Sequence, residues 1–455
     1  MSRPAEAVNA VIKAYDVRGV VGEQIDATFV RDVGAAFARL MRTEGAARIV
    51  VGHDMRASSP ELVEAFSAGV TDHGLDVVNI GLASTDQLYY ASGTLECPGA
   101  MFTASHNPAK YNGIKLCRSG AKPVGQETGL GTIAEEVIHG VPVYDGAPGS
   151  AATDDLLPDY AAYLRKLVAL ESMRPLVVAV DAGNGMGGHT VPAVLGPLPL
   201  TVEPLFFELD GTFPNHEANP LDPANLVDLQ RHVRETGADI GLAFDGDADR
   251  CFVVDEKGDP VSPSAVTALV AERELAKHPG ASIIYNLITS RAVPEIVEEH
   301  GGSPVRTRVG HSFIKQTMAQ TGAVFGGEHS AHYYFRDFWG ADSGMLAALH
   351  VLAALAEQDK PLSELMAQYN RYAASGEINS TVDDATARMN DVEEAFAERA
   401  KEIDKLDGMT VDLGDGAWFN LRASNTEPLL RLNVEAADAG TVTSITDEVL
   451  AIIRR

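Results

Sequence analysis

The chain has few cysteines, a shortage of basic residues, and no hydrophobic run long enough to cross a membrane. Its 455 residues include only three cysteines and no Cys-x-x-Cys pair, so neither a disulfide framework nor a zinc site is expected. The most apolar run, MLAALHVLAALA, is far shorter than a membrane span. The amino terminus lacks a basic stretch followed by an apolar one. These absences predict a cytoplasmic protein without a membrane partner.

Acidic residues outnumber basic ones by 64 to 36, which gives a formal net charge of −28. Binding to nucleic acid needs clustered Lys and Arg that dominate the local field, so nucleic acid is excluded as a partner. An anionic ligand would have to be attracted locally. A phosphate-binding protein of this charge should therefore gather its few basic residues in one cleft.

What is present is typical of an α/β enzyme, with 45% hydrophobic residues, 22% charged residues and 42 glycines. Three segments share one pattern, a β-branched apolar run that stops at a polar or glycine-rich turn and is followed by a helical stretch. They are RIVVGHDMR (48–56), LVVAVDAGNGMG (176–187) and SIIYNLITS (282–290). Such runs are typical of strands that end at the active edge of an α/β sheet, so we predict three related mixed α/β domains.

The end of the chain has a different pattern. GMTVDLGDGAWFNLRASNTEPLLRLNVEA alternates in strand fashion around glycine and asparagine turns, and VTSITDEVLAIIRR then has the spacing of an amphipathic helix. We therefore predict a smaller fourth domain of the α+β class.

The motif GLAFDGDADRCFVVDE places Asp245, Asp247 and Asp249 on a loop between two strand-like runs. Three carboxylates at alternate positions can converge on one hard divalent cation, and they repel one another without it. A solvated acidic turn is the simpler alternative. An EF-hand would also use Glu256, but its sixth position requires glycine and this chain has Arg250. The motif favours a magnesium site with open coordination positions.

A second motif, RASNTEP, lies on a predicted turn between two strands. Arg422 offers a planar fork of donors, and Ser424, Asn425 and Thr426 could complete a pocket for a phosphate dianion. The same residue types are favoured in an ordinary capped turn, so the motif alone leaves both interpretations open.

In a third motif, GGEHSAHYYFRD, Glu328, Ser330 and His332 alternate, so we expect them to share one face of an extended segment and to suit sugar hydroxyls. Upstream, RTRVGHSFIK adds His311 and YDVRG adds Arg18.

The stretch FTASHNPAKYNGIK (102–115) places Ser105 directly before His106. The serine could be a hydrolase nucleophile, a metal ligand, a phosphate carrier or a turn residue. Neighbouring side chains point apart in both helix and strand, which argues against a Ser-His dyad. The G-x-S-x-G elbow of hydrolases is also absent, because Thr103 stands where its first glycine would be. A hydrolase is therefore disfavoured.

TASHNP with NGIK, DGDADR, GEHSAH and RASNTEP, in this order and at these separations, resemble the four signature loops of the α-D-phosphohexomutase family, in particular its bacterial phosphomannomutase/phosphoglucomutase branch. The resemblance covers the whole chain. It implies four domains around a central cleft, three related mixed α/β domains and a smaller C-terminal α+β domain. From the linker-like stretches near residues 146–150, 256–259 and 368–377, we place the domains at residues 1–148, 149–256, 257–370 and 371–455. The resemblance assigns them a phosphoserine, a metal, a sugar and a phosphate loop respectively.

The resemblance implies that Ser105 carries a phosphoryl group and donates it to a hexose phosphate. The resulting hexose 1,6-bisphosphate would turn around and return its other phosphate to the serine. The implied Mg²⁺ ligands are Ser105, Asp245, Asp247 and Asp249. The implied catalytic residues are Ser105, Arg18, His106, Lys115, Arg250 and His311. The implied substrate-binding residues are Glu328, Ser330, His332, Arg422, Ser424, Asn425, Thr426 and Arg431.

Two departures from the family bear on the substrate. Many members have glycine in place of Ala331, and phosphoglucosamine mutases usually have glycine in place of Ala248. Both weigh against glucosamine phosphate, and neither separates mannose from glucose. We expect a monomeric or homodimeric magnesium-dependent phosphomannomutase that also acts on glucose phosphates. The alternatives are a phosphoglucomutase, a phosphoglucosamine mutase, a serine-dependent phosphatase or hydrolase, and a non-enzymatic calcium- or sugar-binding regulatory protein.

Overall fold

The computed structural model describes residues 2–170, 172–424 and 429–455, except for the side chain of His311. The chain forms two compact units. The first contains Met1–Val261 and Ser330–Ser363, and the second contains Ser262–His329 and Glu364–Arg455. Within the described ranges, no helix is both long and apolar enough to cross a membrane.

The first unit begins with a seven-stranded mixed sheet. Its strands are β1 Val17–Val20, β2 Arg48–His53, β3 Asp76–Leu82, β4 Gly99–Phe102, β5 Tyr111–Arg118, β6 Lys122–Pro123 and β7 Ala151–Thr153. The spatial order is β1-β5-β4-β2-β3-β7, with β6 paired to β5. Strands β4, β2, β3 and β7 run parallel, whereas β5 is antiparallel to β1, β4 and β6. The associated helices are α1 Ala5–Val11, α2 Ala27–Thr43, α3 Ser59–Asp72, α4 Thr85–Thr94 and α5 Leu130–His139.

Helices α2 and α3 pack unusually close together. Buried side chains recur along α2 at helical spacing, at Phe29, Val33, Phe37 and Met41. Gly69 of α3 allows the close approach, because a Cβ there would lie 2.1 Å from the carbonyl oxygen of Arg31. Any side chain at this position would push the two helices apart.

A second sheet of five strands follows in the same unit. Its elements are α6 Leu157–Leu167, β8 Leu176–Asp181, α7 Gly187–Leu195, β9 Leu200–Leu205, α8 Val227–Thr236, β10 Ile240–Phe244, β11 Cys251–Asp255 and β12 Pro260–Val261. The order is β12-β11-β10-β8-β9. Strand β8 is parallel to both neighbours, while β10 and β11 form an antiparallel hairpin. The DGDADR motif is the loop of this hairpin.

The next elements are shared between the units. In the second unit, strand β13 pairs in parallel with both β14 and β15. The elements are α9 Pro263–Lys277, β13 Ser282–Asn286, α10 Ala292–Glu299, β14 Ser303–Thr307, α11 His311–Thr321 and β15 Phe325–Gly327. In the first unit, β16 Tyr333–Phe335 and β17 Ala341–Asp342 pair antiparallel, and α12 Gly344–Ala356 is almost wholly buried. Gly344 allows this helix to approach the hairpin loop, because a Cβ there would lie 2.5 Å from the carbonyl carbon of Arg250.

The second unit ends in an antiparallel sheet. After the short helix α13 Leu362–Met366 come β18 Ala373–Thr381, α14 Ala385–Phe396, β19 Glu402–Asp404, β20 Met409–Gly414, β21 Ala417–Ala423, β22 Leu429–Ala436 and α15 Ala439–Ile453. The strand order is β18-β22-β21-β20-β19. One face contributes Phe419, Leu421, Leu432 and Val434 to a core that also contains side chains of α14 and α15. Asn420, Arg422, Arg431 and Asn433 occupy alternate positions and therefore lie on the other face, because successive side chains of a strand point to opposite faces.

The predicted α/β class and the predicted four-domain architecture are confirmed. The three strand-like runs singled out in the sequence are β2, β8 and β13, and each lies inside its sheet with neighbours on both sides. The C-terminal α+β domain is also as expected. The domain boundaries after residues 148, 256 and 370 stay predictions.

Candidate active site

Ser105 lies on the loop between β4 and β5, in a backbone conformation that non-glycine residues rarely adopt, with φ +49°. The hydroxyl of Thr103 accepts the N–H of Ser105 at 2.8 Å and so holds the turn. The Ser105 hydroxyl is 2.8 Å from Oδ2 of Asp245, to which it donates a hydrogen bond. Only 6% of Ser105 is exposed. The loop therefore places the serine against the carboxylates of the hairpin loop.

The expectation that Ser105 and His106 point apart is wrong. Their Oγ and Nδ1 atoms are 3.2 Å apart, because the left-handed turn replaces the helix or strand geometry that the expectation assumed. Nδ1 of His106 nevertheless accepts a hydrogen bond from Nη2 of Arg250 at 2.8 Å. Burial, together with the charges of Arg250 and Arg18, lowers the pKa of His106 to about 3. The imidazole is neutral and its lone pair is already used, so the contact is not a catalytic Ser-His dyad.

Arg56 is a residue of this site that the sequence argument missed. Its guanidinium is fully buried and all five of its N–H groups have acceptors. Nε donates to Asp54 at 3.1 Å. Nη1 and Nη2 donate, at 2.7 to 3.0 Å, to the backbone carbonyls of Ser105, Asn107, Pro108 and Tyr111. Arg56 thus fixes the backbone of residues 105–111, which we call the serine loop. The available signal was the Asp-x-Arg sequence at the end of β2.

The three aspartates of the hairpin loop converge as predicted. Asp245, Asp247 and Asp249 are all buried, and each has a carboxylate oxygen within 4.8 Å of the others. Ala248 turns the loop with φ +57°. Arg250 holds Asp245 through its backbone N–H at 3.1 Å and its Nε at 3.0 Å.

Lys115 of β5 connects two of these carboxylates. Its Nζ lies 2.6 Å from Oδ2 of both Asp247 and Asp249. Burial alone would lower the pKa of Lys115, but the two carboxylates raise it well above its usual range. For Asp247, Lys115 outweighs the effect of burial and lowers the pKa, whereas burial raises the pKa of Asp245 despite Arg250. The cluster therefore holds concentrated negative charge that Lys115 and Arg250 only partly compensate.

The donor set fits a hard divalent cation. Among the residues that the structure describes, Oδ1 of Asp247 and Oδ1 of Asp249 are buried and have no hydrogen-bond partner. A buried anionic oxygen without a partner is costly, and a cation that prefers oxygen ligands removes that cost. Asp245, Asp247 and Asp249 could therefore hold such an ion beside Ser105.

Basic residues gather around the serine loop, as the acidity of the chain led us to expect. Arg18 donates from Nη1 to the side-chain oxygen of Asn107 at 2.6 Å and also pairs with Asp16. Together with Arg56, Lys115 and Arg250, it forms a group of positive charges in this unit. Each of these four side chains also pairs with at least one carboxylate, so net attraction of an anionic ligand would require a cation on the three aspartates as well.

The GEHSAH motif does not form an extended segment, so that part of the prediction is wrong. Strand β15 ends at Gly327, the chain turns through Ala331 with φ +65°, and β16 begins only at Tyr333. Within the first unit, Ser330 Oγ lies 2.9 Å from Nδ1 of His332, whose Nε2 is 3.9 Å from Asp249.

Glu328, in the second unit, is 2% exposed. Its Oε1 accepts hydrogen bonds from Gly310 N–H at 3.1 Å and from Asn286 Nδ2 at 3.3 Å. His311 begins α11, and its side chain lies outside the described part of the chain.

The RASNTEP motif begins within β21, which ends at Ala423, and β22 begins at Leu429, directly after the motif. The predicted turn falls mostly on residues 425–428, which lie outside the described part of the chain. Arg422 and Arg431 are direct cross-strand partners on the polar face of the sheet. Burial lowers the pKa of Arg422, an effect that Asp407 and Glu377 oppose. The N–H of Ser424 donates to the carbonyl of Leu429 at 2.9 Å, while Asn425 and Thr426 lie outside the described residues.

The chain matches known proteins along almost its whole length. Four models of the phosphoglucomutase/phosphomannomutase family match it consecutively, alpha/beta/alpha domains I, II and III and the C-terminal domain, over residues 9–139, 158–258, 262–372 and 377–452. A phosphomannomutase of Salmonella montevideo is 40% identical, and 97% of this chain and 98% of the relative are covered. A phosphoglucomutase of Neisseria gonorrhoeae is 36% identical, with 99% and 98% covered.

A solved structure gives the same result. The X-ray structure of a phosphoglucomutase/phosphomannomutase family protein from Burkholderia thailandensis is 32% identical, covers 100% of this chain and 98% of its own, and superposes with a TM-score of 0.88. With four family segments in order and relatives of 36% to 40% identity along nearly the whole chain, the protein belongs to the α-D-phosphohexomutase family and is an intramolecular phosphotransferase.

Proposed function

We propose that the enzyme interconverts mannose 6-phosphate and mannose 1-phosphate, through a phosphorylated Ser105 and a hexose 1,6-bisphosphate, and that it also accepts glucose phosphates. The observation that carries this proposal is the hydrogen bond from the Ser105 hydroxyl to Asp245, a member of a buried three-carboxylate cluster. A serine beside a cation-binding cluster suits a phosphate carrier better than a turn residue.

In the first half-reaction the bond between phosphorus and Ser105 Oγ breaks while a bond from phosphorus to a sugar oxygen forms, and that sugar hydroxyl gives its proton to a base. In the second, the bond between the other phosphorus and its sugar oxygen breaks, a bond from that phosphorus to Ser105 Oγ forms, and the sugar oxygen takes a proton back. A divalent cation, by our proposal Mg²⁺ on Asp245, Asp247 and Asp249, supplies positive charge to the phosphoryl oxygens when bound. Arg18 and Arg250 add fixed positive charge beside the serine. Positioning and charge stabilisation account for most of the catalysis in such transfers.

The contacts and pKa shifts of His106 and Lys115 argue against both residues as the group that transfers the proton. His106 has its lone pair engaged by Arg250, so it orients that arginine and does not accept a proton. Lys115 is held protonated by Asp247 and Asp249, which suits a fixed charge better than a proton shuttle near neutral pH. We assign the proton transfer to His311 and charge stabilisation to Lys115.

The remaining motif residues bind the substrate. Glu328 is buried and already fixed by two donors, so its carboxylate is preorganised for sugar hydroxyls. Ser330 and His332 complete the sugar contacts. The phosphate that is not reacting binds to the phosphate site, which we define as Arg422, Ser424, Asn425, Thr426 and Arg431. Because the bisphosphate turns around, one set of groups must serve both orientations.

Activity on both mannose and glucose phosphates is supported by the relatives, which include phosphomannomutases and a phosphoglucomutase. Ala248 and Ala331 both have positive φ, at +57° and +65°. Glycine in other family members is therefore explained by the backbone conformation, and these two positions say little about the sugar. Steady-state kinetics with mannose, glucose and glucosamine 1-phosphates would decide, and dominant turnover of the glucosamine compound would contradict the proposal.

Intact mass spectrometry tests the mechanism. We expect one phosphate that maps to Ser105, disappears on incubation with hexose 6-phosphate, and is absent from Ser105→Ala. The variant should lose at least a thousandfold in kcat. Full activity of Ser105→Ala would rule out the phosphoserine mechanism, and steady release of inorganic phosphate without isomerised sugar would contradict the mutase reaction.

A further inference from the structure

Two arginines face each other directly in the C-terminal sheet. Arg422 of β21 and Arg431 of β22 are partners in the antiparallel register. Both lie on the polar face, because the adjacent residues Leu421 and Leu432 are fully buried in the core. Like charges directly opposite each other destabilise a sheet. The pair therefore requires a nearby anion even before any ligand binds.

Glu377 of β18 is that anion. Its Oε2 lies 3.6 Å from Nη2 of Arg422, and its Oε1 lies 3.5 Å from Nη1 of Arg431. Each oxygen of one carboxylate thus faces one guanidinium. Asp407 adds a second carboxylate 3.8 Å from Nη1 of Arg422. Two positive charges are in this way matched by two negative ones.

The contacts to Glu377 leave donor capacity unused. They are longer than the roughly 2.7 to 2.9 Å of a charge-assisted hydrogen bond. Nε of Arg431 is buried and has no hydrogen-bond partner within the described part of the chain. An anion with several oxygens could therefore form hydrogen bonds with the two guanidinium groups that Glu377 does not form.

We propose that Glu377 tunes the charge of the phosphate site: it holds Arg422 and Arg431 side by side and cancels part of their charge, so that a bound phosphate can be released between half-reactions. This inference rests on the proposed function of the site. Glu377 acts through the two arginines and is a positioning residue. Its carboxylate makes phosphate binding depend on hydrogen-bond geometry more than on net charge.

Release matters for the reaction because the bisphosphate has to leave the site before it can turn around. If the two arginines faced the phosphate without Glu377, the net charge of the site would rise by one. The added attraction would stabilise the bound bisphosphate more than it would stabilise the transferring phosphoryl group elsewhere. Such selective stabilisation of the bound bisphosphate lowers KM but slows the step that requires release.

Isothermal titration calorimetry with glucose 1,6-bisphosphate measures the affinity of the enzyme for this compound. It is done in a Ser105→Ala background, where no phosphoryl transfer occurs. Glu377→Gln should bind about tenfold more tightly, the size expected for one unit charge a few ångströms from a dianion. In the background with Ser105 intact, the same change should lower KM and kcat together. Glu377→Asp keeps the charge and should restore most of the wild-type kcat. Glu402→Gln removes a charge from an exposed position of the same sheet and should change neither quantity.

Two results would overturn the proposal. If Arg422→Ala weakens bisphosphate binding but Glu377→Gln leaves it unchanged or weakens it, Glu377 only holds the arginines in place. If Glu377→Gln lowers kcat and raises KM, the carboxylate is not limiting release. By contrast, unchanged binding in both Arg422→Ala and Arg431→Ala would show that this face does not bind phosphate, which refutes the proposed phosphate site itself. Melting curves of each variant establish that it is folded.

Discussion

Arg56 donates a hydrogen bond from Nη2 to the backbone carbonyl of Ser105 at 2.9 Å, and the residue is 2% exposed. The planar fork of arginine reaches four carbonyls at once, which the single ammonium of lysine does not. Arg56→Lys should therefore lower kcat at least a hundredfold and reduce the free energy of unfolding by about 2–4 kcal/mol. Steady-state kinetics and urea denaturation measure the two effects.

A matched control for Arg56→Lys is Arg39→Lys on α2. Arg39 pairs with Glu136 at 3.0 Å and is about one-quarter exposed. This substitution should change stability by less than about 1 kcal/mol and leave kcat unaffected. If Arg56→Lys behaved like the control, the hydrogen bonds to the serine loop would not be what positions Ser105.

Thr85, the first residue of α4, orients a carboxylate of the proposed cation site. Its hydroxyl donates to Oδ2 of Asp247 at 2.6 Å and its N–H donates to the Asp247 carbonyl at 3.0 Å. Thr85→Val keeps the shape but loses the hydroxyl, so Asp247 would lose one of the contacts that fix it. Affinity for Mn²⁺, measured by electron paramagnetic resonance, should fall about tenfold, as for other residues that orient metal ligands.

Thr85→Ser is the rescue variant, since it restores the hydroxyl without the methyl group. It should bind Mn²⁺ within about twofold of the wild type. Equal Mn²⁺ affinity in Thr85→Val and the wild type would show that Asp247 is positioned without Thr85.

The sequence predicted those parts of the site that are local in the chain. Asp245, Asp247 and Asp249 are alternate residues of one short loop between two apolar runs, so their convergence follows from one hairpin. Arg56 and Thr85 were missed because the parallel sheet brings them to the serine and the carboxylates from distant positions. Only the Arg56–Asp54 pair is local in the chain; the backbone carbonyls that Arg56 contacts and the Asp247 carboxylate that Thr85 contacts are not indicated by the neighbouring sequence.

Unusual backbone conformations were the second reason why parts of the site could not be predicted from the sequence. Ser105, Ala248 and Ala331 all have positive φ. A glycine at these positions would have signalled a left-handed turn, but serine and alanine carry no such signal. The two geometric errors, the separation of Ser105 from His106 and the extended GEHSAH segment, both arise from treating these turns as regular structure.

His216 provides a pH-dependent contribution to stability away from the carboxylate cluster. Its Nε2 lies 2.9 Å from Asp181. Burial would lower the pKa of His216, but the hydrogen bond to Asp181 and the charge of that residue raise it above its usual value. The folded state therefore favours the protonated imidazole. The stabilisation is fully present below the unfolded pKa of about 6.5 and is lost as pH rises through the folded pKa.

The measurement is urea denaturation of the wild type and His216→Gln between pH 6 and 9. The excess stability of the wild type should shrink by about 1 kcal/mol as pH rises. His139→Gln is the control, because that imidazole is 76% exposed and its pair with Glu135 should contribute little. A difference that stays constant with pH would contradict the assigned ion pair.

Metal removal should reveal the strain within the carboxylate cluster. The Oδ1 atoms of Asp247 and Asp249 are buried without hydrogen-bond partners among the described residues, and Lys115 compensates only their Oδ2 atoms. A bound cation stabilises the folded state by about 2.7 kcal/mol at one hundred times its dissociation constant, so Mg²⁺ should raise Tm by several degrees in the wild type.

Asp249→Asn should raise Tm in EDTA, because one repelling charge is gone, and should lose most of the Mg²⁺-dependent increase. Asp145→Asn, which removes an exposed charge, should retain the full increase. Calorimetry with EDTA and with Mg²⁺ separates these outcomes, and an undiminished Mg²⁺ effect in Asp249→Asn would place the cation elsewhere in the chain.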